Sequence, residues 1–422
     1  MTIAPARLRS AGLVVVALIW FVVDAALAGD WPQILGPERN GSAKGEQLAK
    51  SWPESGPAVV WQTRVGRGFA GVAVQKGRLI LFHREGNQLL AEAREAATGH
   101  PQWKAAFATT YASTISPDDG PRCVPLIDKD HVYLLGPGGE LACLALETGK
   151  QLWLRDICKD FKAPEGYFGA GSSPILEGDR LLLNVGGRDG AGLVAFSPSD
   201  GKTLWKATDE AASYSSPVAV SVAGVRHVVF VTRLNVVSID PGSGDVRFRF
   251  PFGARGPTVN AANPMVIGDH LFVSASYGVG AQWAKIGARE AKEVWSSDDV
   301  MSSQYTTCVE HEGILYGIDG RQDVGVARLR AFDPRTARVL WTEEGFGTGG
   351  LIVAGDKLLI MRTEGELVLA EASPKEFRPL ARAKLFDTTA QALPALSDGL
   401  AFVRDTKELK CVAVGQRASA GR

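Results

Sequence analysis

Side chains with chemistry to offer are few and scattered. Five cysteines (Cys123, Cys143, Cys158, Cys308, Cys411) and six histidines (His83, His100, His131, His227, His270, His311) punctuate the chain. No two cysteines are adjacent, no histidines stand four apart, and no HExxH motif occurs, so the residue types that ligate zinc lack the spacing that closes a site. The GxSxG elbow that exposes a nucleophilic serine is missing as well. Neither a catalytic set nor a metal site is expected. What remains is a polar series: Arg122, Ser172-Ser173, Tyr214-Ser215-Ser216, Asn263 and Gln304-Tyr305-Thr306-Thr307, with Tyr277 on a Tyr-Gly-Val-Gly loop tip. One cation and several aromatics among neutral hydrogen-bonding groups suit a polar small molecule or a peptide tail; the same groups also suit ordered water.

These residues fall at equivalent places of a repeating unit. Gly138 to Trp153 reads GGELACLALETGKQLW: an alternating run, a Thr-Gly-Lys corner and an aromatic, which is a β-hairpin ending in an anchor. It recurs as GLVAFSPSDGKTLW, VVSIDPGSGDVRF and LRAFDPRTARVLW. The closing aromatics Trp61, Trp103, Trp153, Trp205, Phe248, Trp295, Trp341 and Phe386 are 42, 50, 52, 43, 47, 46 and 45 residues apart. A period of this size marks a solenoid, propeller or array. Ahead of each hairpin lie two further strands, as in Leu181 to Val185 with Pro174 before it, so each repeat is a four-stranded propeller blade. Seven repeats are complete. The tail has only three strands after Phe386, and Ala58 to Val65 carries an anchor with no strands before it, so the two termini share the eighth blade. The fold class is therefore all-β: an eight-bladed β-propeller of four-stranded antiparallel blades, the last closed by the N-terminal strand.

The same alignment explains the thiols. Cys143 and Cys411 hold a position filled elsewhere by Ala93, Ala195, Ser238 and Ala331; Cys308 aligns with Ser173, Ser216 and Asn263, and Cys123 with Ser172 and Ser215. Small, unbridged core thiols are expected. His131, His227 and His270 each open a second strand after a turn and are expected on the surface.

Charge is balanced, with 46 basic against 46 acidic residues in 422, so nothing favours polyanion binding and nucleic acid is not expected as a partner. At the N-terminus Arg7 and Arg9 precede the apolar run Ala11 to Val23, followed by Ala26-Leu27-Ala28. Residues 1–28 read as a cleaved signal peptide, the run being too short for a bilayer span of about 20 residues. Asp30 stands where a lipoprotein needs Cys, so no lipid anchor is expected. Residues 29–57, opening DWPQILGPERNG, form an extension packed on the propeller (58–414), with Trp31 as its anchor or with the segment as a ligand lid; residues 415–422 are a flexible tail. Removing the extension is expected to be tolerated better than removing Ala58 to Val65 as well.

The hairpin signature, clearest in ALETGKQLW, resembles the pyrroloquinoline-quinone (PQQ) repeat family of eight-bladed propellers over Ala58 to Val414. The DWPQ-x-x-GP-x-R-x-G opening is similar to that of secreted PQQ-like propellers of planctomycete-type bacteria. The resemblance implies a structural role for the blade-docking aromatics and leaves two functional branches. Quinoprotein dehydrogenases of alcohols or sugars bind PQQ with calcium; scaffolds such as the propeller of the outer-membrane assembly machinery are not enzymes. This chain lacks the dehydrogenases' adjacent cysteine pair and a Cys-x-x-Cys-His haem site, its inner strands carry no converging carboxylates, and its connections are short. The reading is an exported, monomeric binding or scaffolding module of the periplasm or cell envelope, without cofactor, whose partner is an envelope protein or a polar small molecule; the alternative is the dehydrogenase.

Overall fold

A computed structural model describes Met1, residues 29–256 and residues 258–415. The expected signal peptide, apart from Met1, and residues 416–422 lie outside the described residues. Eight four-stranded sheets follow one another along the chain. Seven are simple antiparallel meanders, at residues 73–108, 126–156, 175–207, 218–251, 265–297, 309–343 and 349–384. The eighth pairs Ala395–Ser397, Leu400–Arg404 and Glu408–Ala413 with Val59–Arg64, in a register that sets Trp61 against Cys411 and Arg64 against Glu408. The ring is thus closed by the N-terminal strand, as the aromatic spacing requires.

Within a blade the four strands carry different burdens. The second and third strands are apolar on both faces, as in Leu79–Phe82 or Val228–Val231, because each is sandwiched between neighbouring blades. The outermost strand alternates, exposing Leu152 and Leu154 while burying Trp153. Each anchor Trp lies against the third-to-fourth-strand turn of the following blade. Its indole Nε1–H donates to a backbone carbonyl there: Trp61 to Ala96, Trp103 to Leu146, Trp153 to Pro198, Trp205 to Pro241, Trp295 to Pro334 and Trp341 to Ser373, at 2.6 to 3.2 Å. A buried indole needs such an acceptor, and this one lies in the next repeat. Phe248 and Phe386 fill the same place without a donor.

A second chain of contacts runs around the inside of the ring. Ser173 Oγ accepts from Val124 N (3.0 Å), Ser216 Oγ from Ser173 N (2.9 Å), Asn263 Oδ1 from Ser216 N (2.8 Å) and Thr307 Oγ1 from Asn263 N (2.9 Å). Thr306 Oγ1 then donates to Gly349 O at 2.9 Å. Each blade's entry segment is latched to the next, from the second blade to the seventh.

None of the five cysteines is in a disulfide; four are buried, and burial pushes the Cys123, Cys143 and Cys308 thiols up to about 12. The histidines depart from expectation. His227 is wholly buried, its Nδ1 2.9 Å from Ser238 Oγ, and desolvation lowers its pKa. His83 is buried too, its Nδ1 accepting from Gly66 N and its Nε2 facing Glu92. His227 does not open its strand: the strand begins at Val225, so His227 lies two residues in, where both faces are covered by neighbouring blades.

Residues 29–57 cross the face formed by the turns between first and second strands. Trp31, 1% exposed, exchanges backbone hydrogen bonds with Val74 (2.7 and 2.8 Å), and Pro32 O accepts from Ile127 N. The Arg39 guanidinium, buried and lowered by desolvation to about 9, donates to Ser173 O and Pro174 O at 3.0 and 2.9 Å. Further on, Ala43 N donates to Val353 O, Glu46 caps the Asp398-Gly399 turn and Ala49 N donates to Val414 O. The segment therefore binds blades one, two, three, seven and eight, so its loss alone is expected to be costly, short of the further loss of the closing strand. Ile34 and Leu35 pack with Val124 and Leu393 across the channel axis.

Candidate functional site: a cup at the channel mouth

With one end of the channel filled by Ile34 and Leu393, the other end is a cup of about 540 Å³. Its mouth lies on the face carrying the blade-to-blade connections and the second-to-third-strand loops. The inner strands begin at Leu126, Ile175, Val218, Met265 and Val309, so the polar series lies in the segments that enter those strands.

One wall is aromatic and cationic. The Arg122 guanidinium carbon lies 5.6 Å from the Phe69 ring centre and 5.4 Å from that of Phe168. Nη1 donates to Gly120 O at 3.2 Å, and Nη2 to Asp118 O at 3.0 Å and Ser116 Oγ at 3.4 Å. Arg122 forms no ion pair among the described residues, so its charge is held by two rings, two carbonyls and one hydroxyl, a half-buried cation–π arrangement. Tyr214 meets Phe168 edge-on at 5.7 Å and its hydroxyl accepts from Phe168 N at 2.8 Å; burial pushes that phenol up to about 12.

The opposite wall is self-satisfied. Gln304 Nε2 donates to Tyr277 OH (3.1 Å) and Asp323 Oδ1 (2.9 Å), while its Oε1 accepts from Gln322 N. Tyr305 OH donates to Gln322 Oε1 and accepts from the Thr348 hydroxyl, 2.8 Å away. The Arg321 guanidinium holds the Asp323 carboxyl below the usual range and covers the Tyr277 ring at 4.3 Å. Between the walls stands Asn263. Its Oδ1 is fixed by Ser216 N, which forces Nδ2 to be the free end, buried and without a protein acceptor. The cup therefore presents an unneutralised guanidinium, an orphaned amide N–H and aromatic faces.

Arg122, Tyr214, Asn263, Tyr277, Gln304 and Tyr305 are brought together around this cavity. Ser173 and Ser216 are not: their hydroxyls are the blade latches described above. Ser215 is buried behind them, and Ser172 faces a neighbouring space. Residues that pattern reasoning missed are Phe69, Phe168, Ile34 and Leu393. The available signal was connection length, since the connections between Ala108 and Leu126 and between Asp156 and Ile175 are the longest and not short as expected; Arg122 and Phe168 ride on them.

Comparison with known proteins decides the family. The model described as outer membrane protein assembly factor BamB matches residues 43–153 and 92–343. The chain belongs to that family. It is 24% identical over 287 residues to the outer membrane protein assembly factor BamB of Burkholderia pseudomallei, covering 66% of this chain and 70% of that protein. Among solved structures, BamB of Moraxella catarrhalis superposes with a TM-score of 0.61 at 13% identity, over 86% of this chain and 98% of that one. The quinohemoprotein alcohol dehydrogenase of Comamonas testosteroni superposes at 0.67 and 13% identity, over 95% and 82%. At such identities the superpositions show the shared propeller alone. No helix among the described residues is long and apolar enough to cross a membrane.

Proposed function

We propose that this chain is a non-enzymatic binding and scaffolding module of the cell envelope, exported to the periplasm and working as a monomer, with the cup as the seat for a polar segment of a partner protein or a small polar ligand. The observation that carries this reading is the cup itself: preformed, closed at its base by the chain's own extension, and lined by donors and rings. Membership of a family named for an outer-membrane assembly factor supports the envelope setting.

The donor set speaks against the dehydrogenase alternative. Calcium needs six to eight oxygen ligands including carboxylates. Asp323, the one carboxylate lining the cup, is already engaged by Arg321 and Gln304, and no cluster of three metal-ligating side chains occurs among the described residues. A polyanionic quinone would then be desolvated against a single guanidinium, at a cost of several kcal/mol. Calorimetric titration of the purified protein with PQQ and calcium is expected to show no saturable heat at micromolar concentrations. Saturable, calcium-dependent binding lost in Asn263→Leu would transfer the reading to the dehydrogenase.

A further inference from the structure

Beside the cup lies a second cavity of about 390 Å³, lined by residues of blades two, three and four and of the segment entering blade five, beneath residues 164–171. Gly171, Tyr214 and Val259 line both spaces and form the partition. The chamber's buried wall is apolar, made by Leu135, Ile157, Leu183 and Val185. Its polar groups are largely committed. Tyr214 OH accepts from Phe168 N, Asn184 bonds at both ends to Gly192 O and Ser213 N, and the Ser213 hydroxyl donates to Val231 O. The exception is Ser172, which is 2% exposed with its hydroxyl unpartnered. Ser172 lines the chamber, whereas Cys123, at the equivalent position one blade earlier, spends its Sγ on Ser172 O at 3.4 Å.

The charges near the chamber do not serve its interior. Glu165 is exposed at the rim, and Arg233 is engaged by Ala254 O and Gly256 O. An ionised ligand placed against Leu135, Ile157, Leu183 and Val185 would lose its hydration to a wall that carries no charge, whereas a neutral one loses little. An engineered cavity of about 150 Å³ holds one benzene, so this space admits a body of two fused rings.

The geometry points to a second binding site, distinct from the cup, for a neutral and largely apolar molecule of about two-ring size bearing one hydroxyl or carbonyl that pairs with Ser172 Oγ. Burial of the apolar body supplies the affinity, and the orphaned hydroxyl selects for the polar substituent.

Fluorescence titrations with 2-naphthol, naphthalene and 2-naphthoate on the mature protein test this. The alcohol is expected to bind at least tenfold more tightly than the carboxylate. Ser172→Ala should weaken 2-naphthol about five- to tenfold, to the level of naphthalene, without changing naphthalene binding. Ala212→Phe should abolish binding by filling the chamber, and Arg122→Gln should leave it unchanged. If Ala212→Phe does not fold, the Ser172→Ala comparison decides alone. The site is refuted if 2-naphthoate binds as well as 2-naphthol, if Ser172→Ala has no effect, if no probe binds, or if Arg122→Gln removes binding. That last result would place the probe in the cup, leaving the proposed function standing while the second site falls.

Discussion

Deletion of residues 29–57 is expected to leave a protein that is insoluble or melts far below the intact chain, even though all eight blades remain in the sequence. Trp31, Leu35 and Leu48 are each at most 7% exposed, and burial of such side chains contributes about 1.5 to 3 kcal/mol apiece. The deletion also strips backbone partners from Val74, Ile127, Val353 and Val414 and uncovers short inner strands at the channel axis. The sum approaches the 5 to 15 kcal/mol that holds a typical domain together. Trp31→Ala alone should cost about 3 to 5 kcal/mol by urea denaturation. If the deletion variant is soluble and melts within a few degrees of the intact protein, the extension is an ornament and not part of the ring closure.

The second large effect is expected at Gly149. Its φ of +69° lies in the left-handed region, and a Cβ there would come within 2.4 Å of Trp103 Cε3 on the preceding blade. Gly149→Val therefore combines backbone strain with displacement of an anchor whose Nε1 is bonded to Leu146 O, for a loss of about 3 to 5 kcal/mol. Gly77→Ala is the matching control: its φ is +74° but nothing lies within 4 Å, so only about 1 kcal/mol of strain is expected. Equal unfolding midpoints for the two variants would show that the glycine serves the turn alone.

These two sites also show what the amino-acid order discloses. The Gly four residues ahead of the closing aromatic, at Gly99, Gly149, Gly201 and Gly244, is visible in the repeats, and so are the blade number and the shared eighth blade, since all depend on periodicity. That the glycine faces the Trp of the preceding blade is not visible, because the contact joins positions some 46 residues apart (Trp103 and Gly149) whose pairing only ring closure creates. The cup was legible in part. Arg122, Tyr214 and Asn263 stand out as polar or aromatic residues at the inner ends of repeats. Ser173 and Ser216 have the same character, yet their hydroxyls turn along the ring, and a one-residue change of side decides which fate a residue meets. Phe168 and Ile34 belong to irregular segments without a period to place them. Arg39, reaching across to blade three from a Pro- and Gly-rich stretch, had no signature at all.

The account turns on the cup being the place where this propeller meets its partner. Photo-crosslinking in intact cells addresses that directly, with a benzophenone side chain installed at Tyr277 on the cup and, separately, at the exposed Leu204 of an outer strand. The Tyr277 position should yield a discrete adduct with an envelope component that disappears when Arg122→Glu is added, while the melting temperature holds and Leu204 yields no such adduct. An adduct at Leu204 but not at Tyr277, or one at Tyr277 indifferent to Arg122→Glu, would contradict the cup as the binding seat.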